Sequence, residues 1–334
     1  MTSEVQAPPN GSEPLARWSA RSVGIGEVSR ALSELRHGEQ SAATLTSVVN
    51  LVVAAGDRDA AGRAASAMRR LGERHPGRTL ALVCRPDAPE DIDASVELHA
   101  ATADDTTIWW EEVHLELGGA LCEHLASVVT PLLLAGLPTA VWFPSALPAP
   151  DDPLLDLADV ALVDARWALQ AGSGLAALVE LGRRQEVIDL SWCRLTPWRR
   201  LLASLFEPAT MRPYLRTVTA ATVSANPGPG RLLAGWVIDR LGVASAAVTL
   251  TRAVHASIAL HCAHAGHRAT FSVTRPSDEL VVHGAAEVEG GPHRHESAAL
   301  PEHGLTWSLA QALSSMARDP RYDAAIRAAL PLEK

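Results

Sequence analysis

The chain has 334 residues, of which 47% are hydrophobic and 20% charged, so it holds enough apolar material for two domains and is not disordered as a whole. Its net charge of −9 is unevenly distributed: residues 86–165 contain 16 Asp and Glu but no Lys or Arg, whereas the rest of the chain holds 22 acids against 29 bases. An acidic segment repels phosphates, which argues against nucleic-acid binding, and it attracts a basic partner.

The sequence shows neither a recognisable signal peptide nor a recognisable transmembrane helix. The N-terminus is polar and Pro-rich, without the basic start and apolar run of a signal peptide. Residues 125–150 carry no formal charge, but Pro131, Pro138, Pro144 and Pro148 interrupt them, which is unlike a transmembrane helix. The four cysteines show no C-x-x-C spacing. We therefore expect a cytoplasmic protein with no membrane partner.

Helices and strands alternate in the first half of the chain, after a flexible tail predicted over residues 1–22. The predicted elements are a helix at 26–37, a strand at 44–54, a helix at 57–73 with Asp57 as N-cap, a strand at 79–84, an edge strand around 96–100, a strand at 107–117, an amphipathic helix at 120–134 and a strand at 138–144. This alternation is typical of a layered α/β domain, which we place at 23–167.

The second half begins in the same way and ends differently. Its predicted elements are a strand at 160–164, a helix at 174–184, a strand at 186–190, a helix at 196–206 with Thr196 as N-cap, a strand at 216–225, a turn at 226–230, a helix at 232–241, short meandering strands over 247–288, and helices at 305–317 and 322–330. The prediction is a second layered α/β domain at 168–334, which ends in an antiparallel meander and helices.

Motifs for catalysis are missing: there is no hydrolase elbow, Walker A loop, dinucleotide fingerprint or HExxH sequence. We expect no catalytic residues and no cofactor. Gly172-Ser-Gly174 precedes a helix and is either an anion cradle or a capped turn. Eight of 13 histidines lie between His255 and His303, but they do not converge like zinc ligands, so no metal site is predicted and they are expected to be solvated. The neighbouring Glu111 and Glu112 are also expected to be solvated.

The nine tryptophans are a more unusual feature of the composition. Trp and Arg are enriched at binding hot spots, so the tryptophans that lie near arginines are candidates for partner binding. Trp109 and Trp110 lie on an alternating strand that places one ring on each face. Residues 189–200 concentrate two further tryptophans and three arginines at a strand-to-helix junction. The partner-binding candidates are Trp109, Trp110, Trp142, Trp192, Arg194, Trp198, Arg199 and Arg200.

Three stretches resemble the OpcA family, the glucose-6-phosphate dehydrogenase assembly proteins of actinobacteria and cyanobacteria. They are residues 123–144, the motif Asp152-Pro-Leu, and residues 189–199. Arg supplies 28 of the 29 bases, which suits an actinobacterial source. The resemblance implies a non-enzymatic protein that binds glucose-6-phosphate dehydrogenase and activates it. The residues that match the family motif are Trp142, Pro144, Asp189, Trp192, Arg194, Thr196, Trp198 and Arg199.

The chain departs from the family pattern in two places. Trp142 is followed by Phe143 where members carry a Trp pair, and residues 154–164 lack the arginines that members carry. A diverged paralogue that acts as a scaffold for a different partner is therefore an alternative. A further alternative is a sugar-phosphate or nucleotide-binding enzyme that uses Gly172–Gly174 and Arg194–Arg200.

Overall fold

The computed structural model describes residues 14–39, 47–72, 75–103, 106–170, 172, 174–277 and 279–333. The chain divides into two units, one made of Met1–Pro144 with Asp151–Asp159 and the other of Ser145–Pro150 with Val160–Lys334. The division that the sequence predicts, between residues 167 and 168, falls inside a helix of the second unit (Ala165–Gln170). Both units combine helices and sheet strands, as the predicted α/β class requires.

Unit 1 is built on a mixed sheet whose strands stand in the order β1-β4-β5-β3-β2-β6. Strand β4 is antiparallel to β1 and β5, and the pairs β5–β3, β3–β2 and β2–β6 are parallel. The strands are β1 Ala16–Ala20, β2 Val49–Ala55, β3 Gly77–Arg85, β4 Ile92–Ala103, β5 Thr106–Gly118 and β6 Thr139–Trp142. The helices are α1 Ile25–Glu39, α2 Arg58–Arg69 and the short α3 Leu125–Val129.

Helices cover both faces of this sheet at β5. Helix α2 begins as the sequence predicts, because the Asp57 side chain accepts the Ala60 amide hydrogen. Just beyond its end, Gly72 lies against the Trp110 ring, whereas Arg36 of α1 binds the neighbouring Glu111. Successive strand residues point to opposite faces, so α1 and the end of α2 lie on opposite sides. Polar side chains on β5 are therefore buried on either face.

Unit 2 contains a parallel strand pair and a six-stranded sheet in the order β10-β9-β11-β12-β13-β14. From β11 to β14 each strand is antiparallel to the next, so the predicted meander is present but lies later than 247–288: β10 pairs in parallel with β9, and β14 extends the meander to Ala299. The strands are β7 Val160–Val163, β8 Val187–Asp189, β9 Val218–Ala225, β10 Val248–Arg252, β11 Ser257–His264, β12 His267–Thr274, β13 Val281–Val288 and β14 His293–Ala299. The helices are α4 Ala165–Gln170, α5 Leu175–Arg184, α6 Leu190–Arg194, α7 Thr196–Ser204, α8 Pro227–Leu241, α9 Gly304–Ser315 and α10 Pro320–Ala329.

The structure differs from the predicted tail and from the predicted edge strand. Residues 16–20 of the predicted tail form β1, which pairs with β4, and residues 1–13 lie outside the described part of the chain. Because β1 takes the edge position, β4 lies between two strands instead of at the edge. An alternating polar sequence such as Ala16–Ala20 suits a half-exposed edge strand, whose burial pattern it shows.

The predicted long helix over 120–134 is wrong. The chain instead forms a 3₁₀ turn at Gly119–Glu123, helix α3, and a second 3₁₀ turn at Thr130–Leu132. Pro131 has no N–H to donate, which favours a break. The Asn50 side chain then accepts the Leu134 amide hydrogen at 2.8 Å and donates to the Leu134 carbonyl at 3.0 Å. A tertiary contact thus satisfies backbone groups that a continued helix would have paired.

Two smaller differences concern helix starts in unit 2. The segment 226–230, predicted as a turn, is the first turn of α8, since proline is well accepted in the first helical turn. Helix α7 has Leu195 rather than Thr196 at its N-cap, and no side chain caps it. Among the described residues, no helix has both the length and the apolar character to span a bilayer.

Candidate functional site

The Asp189–Arg200 segment of unit 2 turns at a buried carboxylate. Asp189 ends β8 and caps α6, where its side chain accepts the amide hydrogens of Ser191 at 2.8 Å and Ala165 at 3.2 Å. It also accepts the Tyr322 hydroxyl at 3.2 Å. Burial, and then the nearby Asp164 carboxylate, raise the Asp189 pKa to about 7. Burial and the neighbouring acid therefore favour the protonated form of the Asp189 carboxyl group more than water does.

A second buried carboxylate beside it is paired with Arg194. Asp164 is 3% exposed and accepts the Ser191 hydroxyl at 2.5 Å. Arg194 donates from Nη2 to both Asp164 oxygens at 2.7 Å. A charge-assisted contact of this kind fixes the short helix α6 against the end of β7. The Arg194 guanidinium is therefore bound to an acid of its own unit.

Arg199 also has a partner within the unit, because its guanidinium stacks on the Trp192 ring. Its guanidinium carbon lies 3.4 Å from the Trp192 ring centroid, and Nη1 donates to the Trp192 carbonyl at 2.9 Å. The Trp192 indole is buried and donates to Asp319 at 2.8 Å. Burial lowers the pKa of Arg199 to about 10. A desolvated cation–π contact contributes about 2 kcal/mol, so this stack holds α6, α7 and the start of α10 together.

A surface groove lies beside α7. Trp198 is buried and its indole N–H donates to the Ala256 carbonyl at 2.8 Å, whereas Arg200, two residues on, is exposed. Arg200 lines a groove of about 550 Å³ between α7, the end of β14 and the start of α9. Its walls include Pro197, Leu201, Leu300, Pro301 and the partly exposed Trp307. The groove is mainly apolar with one cation at its rim.

The three candidate tryptophans of unit 1 are mostly internal. Trp110 and Trp142 are buried, and Trp109 is partly buried. Trp110 stacks on His99 with ring centroids 5.3 Å apart. As they stand, Trp110 and Trp142 pack the core of unit 1 and present no ring to solvent. They belong with Trp192 and Trp198 as side chains that hold the fold.

The prediction that Glu111 and Glu112 are solvated is wrong. Glu111 is 2% exposed and is bound by Arg36 and by Arg78, the latter at 2.7 Å. Glu112 is 1% exposed. Both faces of β5 are covered, so an alternating pattern that normally indicates a half-solvated strand here buries both sets of side chains.

The structure bears on one motif that the sequence left open and on the histidines that were predicted to be solvated. Gly174 is the N-cap of α5, and the amide hydrogen of Leu175 binds the Glu333 carboxylate, so an anion of the chain itself occupies this helix N-terminus. On the meander, His261 and His264 are exposed, as are His293 and His295. The expectation of solvated histidines there is confirmed.

Sequence analysis missed a cluster in unit 1, formed by Glu97, His99 and Glu112. A signal for it was present: Glu97-Leu-His99 and Glu112-Val-His114 are two Glu-x-His motifs on consecutive strands. Residues two apart on a strand share a face, so each motif puts a carboxylate and an imidazole side by side.

Comparison with known proteins gives matches in both halves of the chain. A model described as the glucose-6-phosphate dehydrogenase subunit N-terminal domain of OpcA matches residues 68–180, and the corresponding C-terminal domain model matches residues 185–326. A solved structure from Mycobacterium avium, named glucose-6-phosphate 1-dehydrogenase, superposes with a TM-score of 0.44 and 10% identity over 86% of this chain and 90% of that one. We attach no functional meaning to a superposition of this quality.

Curated relatives named OxPP cycle protein OpcA also match. The Synechocystis protein is 30% identical over 47% of this chain and 35% of its own length, and the Nostoc punctiforme protein 28% over 50% and 38%. The Synechococcus elongatus protein is 26% identical over 52% of this chain and 41% of its own length. The matches thus span less than half of each relative. Because the two domain models together cover most of the chain and the curated relatives carry the same family name, this chain belongs to the OpcA family.

Proposed function

We propose that this chain binds glucose-6-phosphate dehydrogenase directly and promotes its assembled, active form. The observation that carries the proposal is that both halves of the chain match domains described as those of a glucose-6-phosphate dehydrogenase subunit. The names of the curated relatives place those proteins in the oxidative pentose phosphate cycle, which agrees with it. On this view the chain acts as an accessory protein without chemistry of its own.

The groove beside α7 is the docking surface that we propose for this partner. Its rim combines exposed Arg200 with partly exposed Trp307, the residue types that dominate binding energy at interfaces. The Arg199 stack on Trp192 holds α7, one wall of the groove, in place before binding, which lowers the entropy lost on association. An apolar groove with one cation fits an apolar segment of the dehydrogenase that carries an acidic residue.

Activation requires that the chain bind the active form of the dehydrogenase more tightly than the inactive form. A coupling of about 1–3 kcal/mol corresponds to roughly 5–150-fold tighter substrate binding, or to a comparable shift between oligomeric forms. Groove contacts with residues that only the assembled enzyme brings together would supply this difference.

The test is a titration of purified dehydrogenase with this chain, followed by size-exclusion chromatography and by activity at low substrate. The native chain should co-elute and raise activity. Arg200→Glu and Trp307→Ala should each weaken binding by about 30-fold, which is about 2 kcal/mol. Arg252→Glu, an exposed arginine on β10, is the matched control and should bind as the native chain does. No co-elution and no activation would reject the function; unchanged binding by both groove variants would reject only the surface.

The alternative of a sugar-phosphate or nucleotide-binding enzyme has most of its candidate phosphate-binding groups already engaged within the chain. Arg194 is bound to Asp164, Arg199 is stacked on Trp192, and Glu333 occupies the helix N-terminus after Gly174. A phosphate would have to displace these intrachain partners. The same purified chain, heated with glucose 6-phosphate or nucleotides, should therefore show no rise in Tm.

A further inference from the structure

A cluster of acid and imidazole groups lies across β4 and β5 in unit 1, apart from the proposed docking surface. Glu97 and Glu112 are direct cross-strand partners in the antiparallel register. His99 and His114 each lie two residues beyond one of these acids, on the same face of the sheet. Donor atoms of Glu97, His99 and Glu112 all lie within 4.8 Å of one another.

Burial of these groups is nearly complete, yet the polar atoms of His99 and Glu112 lack hydrogen-bond partners. His99 and Glu112 are each 1% exposed and Glu97 is 8% exposed. Neither ring nitrogen of His99 and neither carboxylate oxygen of Glu112 has a hydrogen-bond partner in the described structure. Leaving such groups unsatisfied in a protein interior is costly, because their hydration is lost without replacement.

The neighbouring acid on β5 shows what full compensation looks like. Glu111, which points to the opposite face, is bound by two arginines. The nearest partners of Glu112 are instead the His114 imidazole, with Nε2 at 3.6 Å, and the facing Glu97 carboxylate. Two carboxylates facing each other in a dry site repel unless a cation or proton lies between them.

We propose that Glu97, His99 and Glu112 bind one divalent transition-metal ion, with Zn²⁺ the first candidate. Zinc lies about 2.0–2.2 Å from imidazole nitrogen and carboxylate oxygen, so tetrahedral ligand atoms are about 3.4 Å apart. The 3.5 Å between His99 Nε2 and Glu97 Oε2 fits this spacing. An imidazole in the ligand set favours zinc, copper, iron or nickel over calcium and magnesium, which prefer oxygen ligands alone.

Neighbouring side chains orient two of the three ligands. Arg17 binds Glu97 through Oε1 at 3.1 Å, which leaves Oε2 to face His99. The Trp110 ring stacks on the His99 ring at an interplanar angle of 7°, and Gly72 leaves no space for Trp110 to move toward α2. Such outer contacts are the usual means of fixing a metal ligand. His114, beside Glu112, is the nearest candidate for a fourth ligand.

The experiment uses the full chain purified without a histidine tag. Bound metals are measured by mass spectrometry before and after chelator treatment, and Zn²⁺ alone is then titrated by calorimetry. We expect one ion per chain, and a Kd at least ten-fold weaker in His99→Gln and Glu112→Gln. The matched control is the double variant His293→Asn and His295→Asn, whose histidines lie exposed on β14, and it should keep the site.

Folding of the variants is checked by their Tm without metal. Glu112→Gln removes a buried charge that lacks a partner, so without metal its Tm should be equal to or above that of the native chain. Metal should then raise the Tm of the native chain by more than that of the variant. Equal binding by the native chain and by both site variants, loss of binding only in the His293 and His295 variant, or no binding by the native chain would overturn the proposal.

Discussion

At the scale of single residues, Asp189 links a buried site to pH. Its folded-state pKa is about 7 against an ordinary value of 3.8, with burial the largest cause and Asp164 the next. The folded chain therefore holds a proton between about pH 4 and pH 7 that the unfolded chain has released. Stability from this proton is fully present below about pH 4 and is lost as the pH rises through 7.

Asp189→Asn should remove that part of the pH dependence. The native chain should lose up to about 1.4 kcal/mol of unfolding free energy per pH unit across this window from Asp189 alone. The amide of the variant does not titrate, yet its oxygen still accepts the Ser191 amide hydrogen. Urea unfolding of both chains at pH 5 and pH 7.5 measures the difference. Parallel pH dependence in the two chains would mean that Asp189 is ionised throughout.

At the scale of elements, two glycines of the α2 region differ in the space that surrounds them: one has room for a side chain and the other does not. Gly62 lies exposed within α2 with nothing within 4 Å of where a Cβ would be, whereas a Cβ on Gly72, just past the helix, would lie 2.5 Å from atoms of the buried Trp110 ring. Glycine in an open helix interior costs about 0.5–1 kcal/mol relative to alanine. At Gly72 the lack of a side chain is what lets the end of the helix reach the sheet.

Gly62→Ala should stabilise the chain by about 0.5–1 kcal/mol, and Gly72→Ala should destabilise it by about 1–3 kcal/mol through overpacking. Chemical denaturation of both variants and the native chain gives the two values on one scale. Because Trp110 stacks on His99, the Gly72 variant should also shift tryptophan fluorescence, and the Gly62 variant should not. A neutral Gly72→Ala would show that the Trp110 ring moves freely, contrary to its close packing.

Elements with local signals were predictable, and those that depend on distant partners were not. Asp57 as the cap of α2 and the alternating meander follow from nearby residues, and the structure has both. The break after α3 depends on Asn50, which is distant in sequence, and the burial of Glu111 depends on Arg36 and Arg78. The same holds for the candidate site. The tryptophan-rich segment could be recognised in the sequence, but the burial of the Trp192 ring could not be predicted because its indole N–H is bound by the distant Asp319.

At the scale of the whole molecule, the negative charge of the base-free stretch, residues 86–165, is partly neutralised within each unit. Several of its acids form ion pairs with arginines that lie outside the stretch in sequence. These pairs are Asp91 and Asp93 with Arg85, Glu97 with Arg17, Glu111 with Arg36 and Arg78, Glu116 with Arg58 and Arg85, and Asp164 with Arg194. Some acids of residues 86–165 therefore serve to pair with arginines from the rest of the chain in the folded protein. Less of its charge is left to attract a partner than composition implies.

Exposed acids still remain in this stretch, including Asp87, Glu90, Glu123 and Asp151, and the net charge is −9. Given the proposed binding to glucose-6-phosphate dehydrogenase, we expect the association rate to fall with salt, but by less than about ten-fold between 50 and 500 mM NaCl. The dissociation rate should change little, because apolar contacts in the groove are not screened.

Stopped-flow mixing with labelled dehydrogenase measures both rates. The double variant Asp87→Asn and Glu90→Asn should associate more slowly at low salt and equally fast at high salt, since only steering is removed. The matched control is Glu302→Gln, at an exposed acid of unit 2 outside the stretch. An association rate that is independent of salt would exclude steering by these acids. A far steeper fall would mean that ion pairs, rather than the apolar groove, dominate the encounter.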